Sequence, residues 1–225
     1  GGAIESAWQL LAEEFVKFGH VVNYYSRRCD GLKGDEYLNG VHHIRLKSTD
    51  AVKSPFFLKT LELPYVLRAK KLMEKADILV THAFWAPILF HPYKYGKLYV
   101  HVGRYPKGQL NLYEKANRLQ TPSQAIAEVS RNQTTSQRHK IKALPYPLPW
   151  DVISKLEYHH KKNIILYAGR IHPEKGILEL IEAWKNIHES LAHNYELRLI
   201  GPWKEKEGGA GKSYRDRIEL ENGHH

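Results

Sequence analysis

Hydrophobic residues recur along the chain with two different periods, and their alternation predicts the fold class. Apolar positions at helical spacing run from Ile4 to Phe18, and Gly19 provides a stop. Short apolar runs at 41–46 and 77–81 have the length and composition of strands. Because strand and helix alternate along most of the chain, the pattern predicts an α/β protein with parallel sheets covered by helices on both faces.

The same periodicities assign the remaining elements. A polar loop is expected over 29–40, and a helix over 55–75 that Pro64 divides into two pieces. Ser123 is placed to cap a helix reaching about Arg131. The run 163–168 has the composition of a strand buried on both faces. Other strands are expected at 21–25, 97–102, 117–121, 140–144 and 195–200, and other helices at 109–116, 176–191 and 213–221.

A proline-rich stretch separates two parts of the chain. Residues 145–149 read Pro-Tyr-Pro-Leu-Pro, which fits neither a helix nor a central strand. Such a stretch is typical of a stiff connector. We therefore expect one domain over 1–149 and a second over 150–225.

The net charge of +10 is concentrated in the first part of the chain. Residues 1–150 hold 22 Lys and Arg against 12 Asp and Glu, whereas residues 151–225 hold 12 of each. This asymmetry indicates that the first domain meets an anion. Anionic lipid headgroups, a charged acceptor and nucleic acid are the alternatives, and nucleic acid ranks last because no binding motif for it occurs.

The single cysteine, Cys29, excludes a disulfide within the chain. Lone thiols are typical of a reducing compartment. The composition therefore favours a cytoplasmic protein, and the basic first domain allows peripheral contact with the inner face of a membrane.

The most informative stretch is 163–176, which reads NIILYAGRIHPEKG. It predicts a strand, a short loop carrying Arg170 and Lys175, and a helix that begins after Gly176. Ligands of open α/β sheets bind at the carboxyl ends of strands, and a helix N-terminus suits phosphate. Two interpretations stay open from spacing alone: a phosphate site, or solvated loop charges.

A glycine-rich run at 208–213 imitates a phosphate-binding P-loop. The P-loop pattern needs a first glycine where this chain has Lys206, so a nucleotide hydrolase is a weaker alternative. Cys and His spacings typical of zinc sites are missing, as is the G-x-G-x-x-G pattern of dinucleotide-binding proteins. We therefore expect no metal and no bound cofactor.

Several stretches together resemble family-4 glycosyltransferases of the GT-B fold. They are the Gly-Gly helix start at the N-terminus, VHVGRYPKGQ, TPSQAIAE, the proline connector and AGRIHPEKG. The resemblance implies two Rossmann-like domains, the second of them truncated in this chain. It further implies a retaining, metal-independent transferase that moves a hexose from a nucleotide diphosphate sugar to an acceptor on the first domain.

The resemblance also implies roles for individual residues. Arg170 and Lys175 would hold the donor diphosphate, together with the backbone of Gly1 and Gly2. His82 would be the catalytic residue that positions the acceptor or the sugar. Further cleft candidates are His101, Arg104, Lys107 and Gly201.

The chain departs from the family pattern in two places. Ile4 precedes Glu5 where the family has Gly-Gly-Ala-Glu, and no strand stands before the glycines. The family's paired glutamates, eight positions apart, fall beyond the point where this sequence stops. We expect a fragment that lacks part of the active site, and the alternative from another class is a non-catalytic basic module docked on an anionic membrane. Expected partners are the nucleotide-sugar donor and a carbohydrate or lipid-linked acceptor.

Overall fold

The computed structural model describes residues 3–48, 55–103, 105–148, 161–191 and 194–222. The chain divides into two compact units, Gly1–Asp151 and Val152–His225. Both units combine helices with parallel strands, which confirms the predicted α/β class. None of the helices in the described ranges combines the length and apolarity that crossing a bilayer requires.

Unit 1 begins with α1 (Ala3–Lys17) and a three-stranded sheet of order β1-β3-β2. Its strands are β1 (Asn23–Arg27), β2 (Asp35–Leu38) and β3 (Val41–Leu46), with β1 parallel and β2 antiparallel to β3. The predicted loop over 29–40 is wrong where it contains β2. Glu36 of β2 pairs with the buried Arg45 of β3, and this ion pair across the hairpin stabilises a polar segment in the sheet.

The second sheet of unit 1 has four parallel strands in the order β4-β5-β6-β7. As predicted, Ser123 caps α5 by accepting a hydrogen bond from Ile126 N at 3.3 Å. The elements in chain order are α2 (Pro55–Leu72), β4 (Ile78–Thr81), α3 (Ala86–Leu89), α4 (Pro92–Tyr95), β5 (Lys97–His101), β6 (Arg118–Thr121), α5 (Gln124–Gln133) and β7 (Ile141–Ala143).

The long helix α2 continues through Pro64. The prediction that Pro64 divides it is wrong. A proline removes one N–H from the helix, but packing of a helix face can outweigh that loss. Here Val66 and Ala69, which follow the proline, are both buried, and this burial favours continuation of the helix.

The core of unit 1 surrounds the two central strands of the four-stranded sheet. Leu98 and Val100 of β5 and Leu119 of β6 are buried, together with Phe90 and Leu110 from the connecting segments. Burying such side chains stabilises the fold by about 1.5–3 kcal/mol each. This core therefore holds the carboxyl ends of β4 and β5 in place.

Unit 2 is a β-α-β-α arrangement in which two parallel strands pair along their length. Its elements are β8 (Ile164–Ala168), α6 (Ile177–Leu191), β9 (Glu196–Ile200) and α7 (Lys212–Asn222). The core consists of buried isoleucines from the loop after β8 and from both helices: Ile171, Ile177, Ile181 and Ile218.

One face of the β8–β9 sheet is open. The core of unit 2 packs on the face that carries Tyr167, Leu197 and Leu199. On the opposite face Leu166 is 56% exposed and Ile200 is 53% exposed. The prediction that β8 is buried on both faces is therefore wrong, because within the described residues both helices contribute their core side chains to the same cluster.

Candidate functional site

The stretch after β8 forms the predicted strand–loop–helix arrangement. Residues 173–175 make one turn of 3-10 helix, capped by His172, whose Nδ1 accepts a hydrogen bond from Glu174 N at 3.3 Å. Gly176 takes a left-handed conformation with φ of 66°, and α6 begins at the next residue. Glycine tolerates this conformation without strain. Arg170 and Lys175 therefore lie between the carboxyl end of a strand and the first turn of a helix.

The Arg170 side chain is held rather than free in solvent. Its Nη1 donates to the Gly208 carbonyl at 2.8 Å, and its Nη2 pairs with the Glu174 carboxylate. The side chain is still 43% exposed, and a guanidinium has five N–H donors. Part of the group therefore stays accessible to an anion, and Lys175 is exposed on the same loop.

The backbone segments that follow β8 and β9 lie close to each other. Gly169 N donates to Ile200 O at 2.9 Å, and Ile171 N donates to Pro202 O at 2.9 Å. A Cβ atom on Gly201 would lie 1.7 Å from Gly169 O. The cleft candidate Gly201 thus has a structural requirement of its own, because only glycine fits where the two loops meet.

Most backbone N–H groups of the glycine-rich run are engaged within unit 2 and are not free as in a P-loop. A P-loop cradles phosphate with free backbone N–H groups. Here four successive N–H groups donate to backbone carbonyls: Gly208 to Glu205, Gly209 to Lys204, Ala210 to Ile171 and Gly211 to Trp203. The run instead closes the loop after β9 and presents the Gly208 carbonyl to the arginine.

Two histidines meet at the carboxyl edge of the four-stranded sheet in unit 1. His101 is the last residue of β5, and His82 directly follows β4, whose Thr81 pairs with Val100. His82 is exposed, whereas His101 is only 3% exposed. The sheet register therefore brings together the two histidines that the sequence singled out, with different access to solvent.

His101 is enclosed by aromatic rings. Its ring centroid lies 5.6 Å from that of Trp8 and 5.4 Å from that of Tyr146. Neither ring nitrogen has a hydrogen-bond partner among the residues that the structure describes. Burial, with a smaller contribution from the charge of His82, lowers the pKa of His101 to about 4. The imidazole is therefore neutral near pH 7.

We expect the stability of the protein to fall between about pH 6.5 and pH 4 because of His101. The unfolded chain binds a proton near pH 6.5, but the folded chain binds it only near pH 4. Stability is thus independent of this group above pH 6.5 and declines by about 3 kcal/mol as the pH reaches 4. Urea unfolding of the protein and of His101→Gln across this range measures the effect. An equal slope in both would exclude His101 as the source.

The basic turn after β5 is anchored by an amide that the sequence did not reveal. Gln133, the last residue of α5, donates from Nε2 to Pro106 O at 2.6 Å and accepts from Gly108 N at 2.8 Å. Lys107 lies between these two points and is exposed. Gln133 is 25 to 27 residues away from the turn, so no local pattern could indicate it.

Three predicted site residues, Gly1, Gly2 and Arg104, lie outside the described residues. Within the described ranges, no group of three or more His, Cys, Asp or Glu side chains is arranged to hold a metal ion. The expected metal independence of the reaction stays a prediction.

Comparison with solved structures shows the fold class. The crystal structure of a glycosyltransferase from Rickettsia africae ESF-5 matches with a TM-score of 0.61 and 16% identity, over 99% of this chain and 62% of that one. The lipopolysaccharide outer core galactosyltransferase WaaB in its apo form matches at a TM-score of 0.48 and 14% identity, over 90% of this chain and 66% of that one. The fold is the Rossmann-like fold of the GT-B type.

Comparison with family models gives a family match for the second unit. Residues 150–224, about a third of the chain, match the family described as glycosyl transferases group 1. A search of curated proteins gave no match. For this segment the family match confirms the resemblance found in the sequence. The chain spans less than two thirds of the Rickettsia structure, so the activity of the whole protein is a matter for proposal.

Proposed function

We propose that the protein is a glycosyltransferase that moves a sugar from a nucleotide diphosphate sugar to an acceptor bound on unit 1. One observation carries the proposal. The segment that matches the glycosyltransferase family contains Arg170 and Lys175 at the carboxyl end of β8 and the start of α6. This is the position at which open α/β sheets bind nucleotides.

The chemistry of sugar transfer explains why two cations belong there. As the glycosidic bond breaks, negative charge develops on the departing diphosphate and positive charge on the sugar. Fixed cations lower the energy of that state if they are already in place before reaction. Arg170 meets this requirement through its contacts with Gly208 and Glu174, and the N-terminus of α6 adds its partial positive charge.

The residues of unit 1 would serve the acceptor. His82 is exposed at the carboxyl edge of the sheet, where it can donate or accept a hydrogen bond. His101 lies beneath Trp8 and Tyr146 and supports this edge from within. In this proposal His82 contacts the acceptor or the sugar, and Lys107 on the basic turn meets an anionic group. The reaction is retaining and uses the two cations in place of a metal, as the resemblance implies.

Of the alternatives, the nucleotide hydrolase is disfavoured by a specific observation. The N–H groups of residues 208–211 in the glycine-rich run are occupied by carbonyls and are not available to a phosphate. A non-catalytic basic module is distinguished from the transferase by whether it binds a nucleotide sugar. The proposed setting is the cytoplasm, with peripheral contact at the inner face of a membrane.

A thermal-shift panel of UDP, GDP and ADP sugars on the full-length gene product tests the proposal. We expect one of the three bases to raise Tm, because a ligand at 100 times its Kd stabilises the folded state by about 2.7 kcal/mol. The free sugars without nucleotide serve as controls. No shift with any nucleotide sugar, in the presence or absence of Mg²⁺, would contradict the proposal.

A further inference from the structure

A shallow groove of about 460 Å³ lies in unit 1 between the end of α2 and α4, the short helix that precedes β5. We call it the lysine groove, and it is lined by Leu67, Lys70, Lys71, Met73, Lys94 and Tyr95. The segments that follow its two helices enter β4 and β5, and Lys97 N donates to Asp77 O at 2.9 Å where these strands start. The groove is thus at the amino edge of the sheet, opposite the edge that carries His82 and His101.

The groove is cationic. Among the described residues that line it, three are lysines and none is a carboxylate. Its wall is ordered by Tyr95, whose hydroxyl donates to Lys70 O at 3.3 Å and whose ring lies 5.5 Å from the Lys94 ammonium. These contacts place the lysines of α2 and α4 around one depression, and a cluster of like charges of this kind attracts anions.

Exposed apolar side chains occur on the same two helices as the lysines, and one of them, Leu67, lines the groove. Leu67 is 42% exposed, Leu72 is 56% exposed, and Tyr93 is 88% exposed. Leu72 adjoins Lys71 in sequence, and Tyr93 adjoins Lys94. Leucine and tyrosine beside lysine are typical of surfaces that lie in the headgroup region of a bilayer, where the apolar parts insert and the ammonium groups meet phosphates.

We propose that the lysine groove docks unit 1 on an anionic bilayer. A lipid surface can contact both the lysines and the exposed apolar side chains of these two helices, whereas a free phosphate ion contacts the lysines alone. Each lysine near an anionic membrane raises the partition coefficient by roughly fivefold, so three contribute on the order of a hundredfold. This docking is distinct from the proposed role of unit 1 in sugar transfer, because the groove lies at the sheet edge opposite His82 and His101.

Vesicle flotation of the full chain tests the proposal at low salt. Vesicles of phosphatidylcholine alone are compared with vesicles that also contain phosphatidylglycerol. We expect flotation with the anionic vesicles only, and a loss of about a hundredfold in partition for Lys70→Gln/Lys71→Gln/Lys94→Gln. The matched control is Lys33→Gln/Arg138→Gln/Lys142→Gln, which removes the same charge from exposed positions of unit 1 and is expected to float nearly as the parent does.

A double variant separates a bilayer from a soluble anion. Leu72→Ser/Tyr93→Ser keeps every lysine, and we expect it to weaken flotation at least fivefold while leaving Tm unchanged, since both side chains are exposed. Equal losses in the groove and control triples would overturn the proposal in favour of diffuse net charge. Inorganic phosphate that raises Tm of the parent but not of the groove triple, without flotation of either, would overturn it in favour of a free anion site.

Discussion

Arg170→Ala and Lys175→Ala are each expected to weaken the binding of a nucleoside diphosphate by about 1.5–3 kcal/mol, the range of charge-assisted hydrogen bonds. Both side chains lie at the junction of β8 and α6, and both are exposed enough to reach a ligand. Isothermal titration calorimetry with the nucleotide selected by the thermal-shift panel measures the loss.

The contacts of Arg170 allow its two roles to be separated. Its pairing with Glu174 is partly exposed, and exposed ion pairs contribute only about 0–1 kcal/mol to stability. The alanine variant should therefore fold normally and fail mainly in binding. Arg170→Lys keeps the charge but loses the planar fork, so we expect it to recover only part of the affinity.

A lysine of the same unit provides the matched control. Lys212 is exposed at the start of α7, beside the glycine-rich run. Lys212→Ala removes the same charge as Lys175→Ala and is expected to leave nucleotide affinity and Tm unchanged. If Arg170→Ala and Lys175→Ala both kept full nucleotide affinity, the two residues would be surface charges without a role in binding. A loss of affinity confined to Lys212→Ala would favour a hydrolase.

Gly201→Ala is expected to destabilise unit 2 by about 2–5 kcal/mol, as overpacking and backbone strain act together. The added Cβ would lie 1.7 Å from Gly169 O and 2.6 Å from its carbonyl carbon. Both atoms belong to backbone that pairs with Ile200, so they cannot move aside without breaking the β8–β9 pairing. The loop that carries Arg170 should shift with them.

Thermal unfolding and calorimetry together check this expectation. Gly34→Ala is a suitable control, because a Cβ there meets nothing within 4 Å and the backbone is not in the left-handed region. We expect Gly201→Ala to lower Tm of unit 2 and to weaken nucleotide binding, while Gly34→Ala changes neither. Unchanged Tm in Gly201→Ala would show that the two loops are farther apart in solution.

Periodicity and capping rules were sufficient for most elements. The helix capped by Ser123 and the strand at 41–46 follow from short-range preferences, and the structure has them as α5 and β3. The strand–loop–helix arrangement around Arg170 was equally readable, since an apolar run, a proline-containing loop and a helical period follow one another. Local sequence determines features of this kind.

Features that depend on residues distant in sequence could not be predicted from local patterns. The burial of His101 results from Trp8 and Tyr146, which are far away in sequence. The anchoring of the basic turn by Gln133 belongs to the same class. Patterns within a window cannot report contacts between segments tens of residues apart.

The open face of the β8–β9 sheet has a practical consequence for samples of this chain. Leu166 and Ile200 expose apolar side chains on the face that also carries the Glu196–Arg198 ion pair. The acidic and basic residues of unit 2 nearly balance, so little net electrostatic repulsion separates one copy from another. Exposed sheet edges also offer unpaired backbone groups to a neighbouring molecule. The tendency of the chain to associate should then depend on unit 2 rather than on the cationic unit 1. We expect turbidity that rises with protein concentration and that added salt does not reverse.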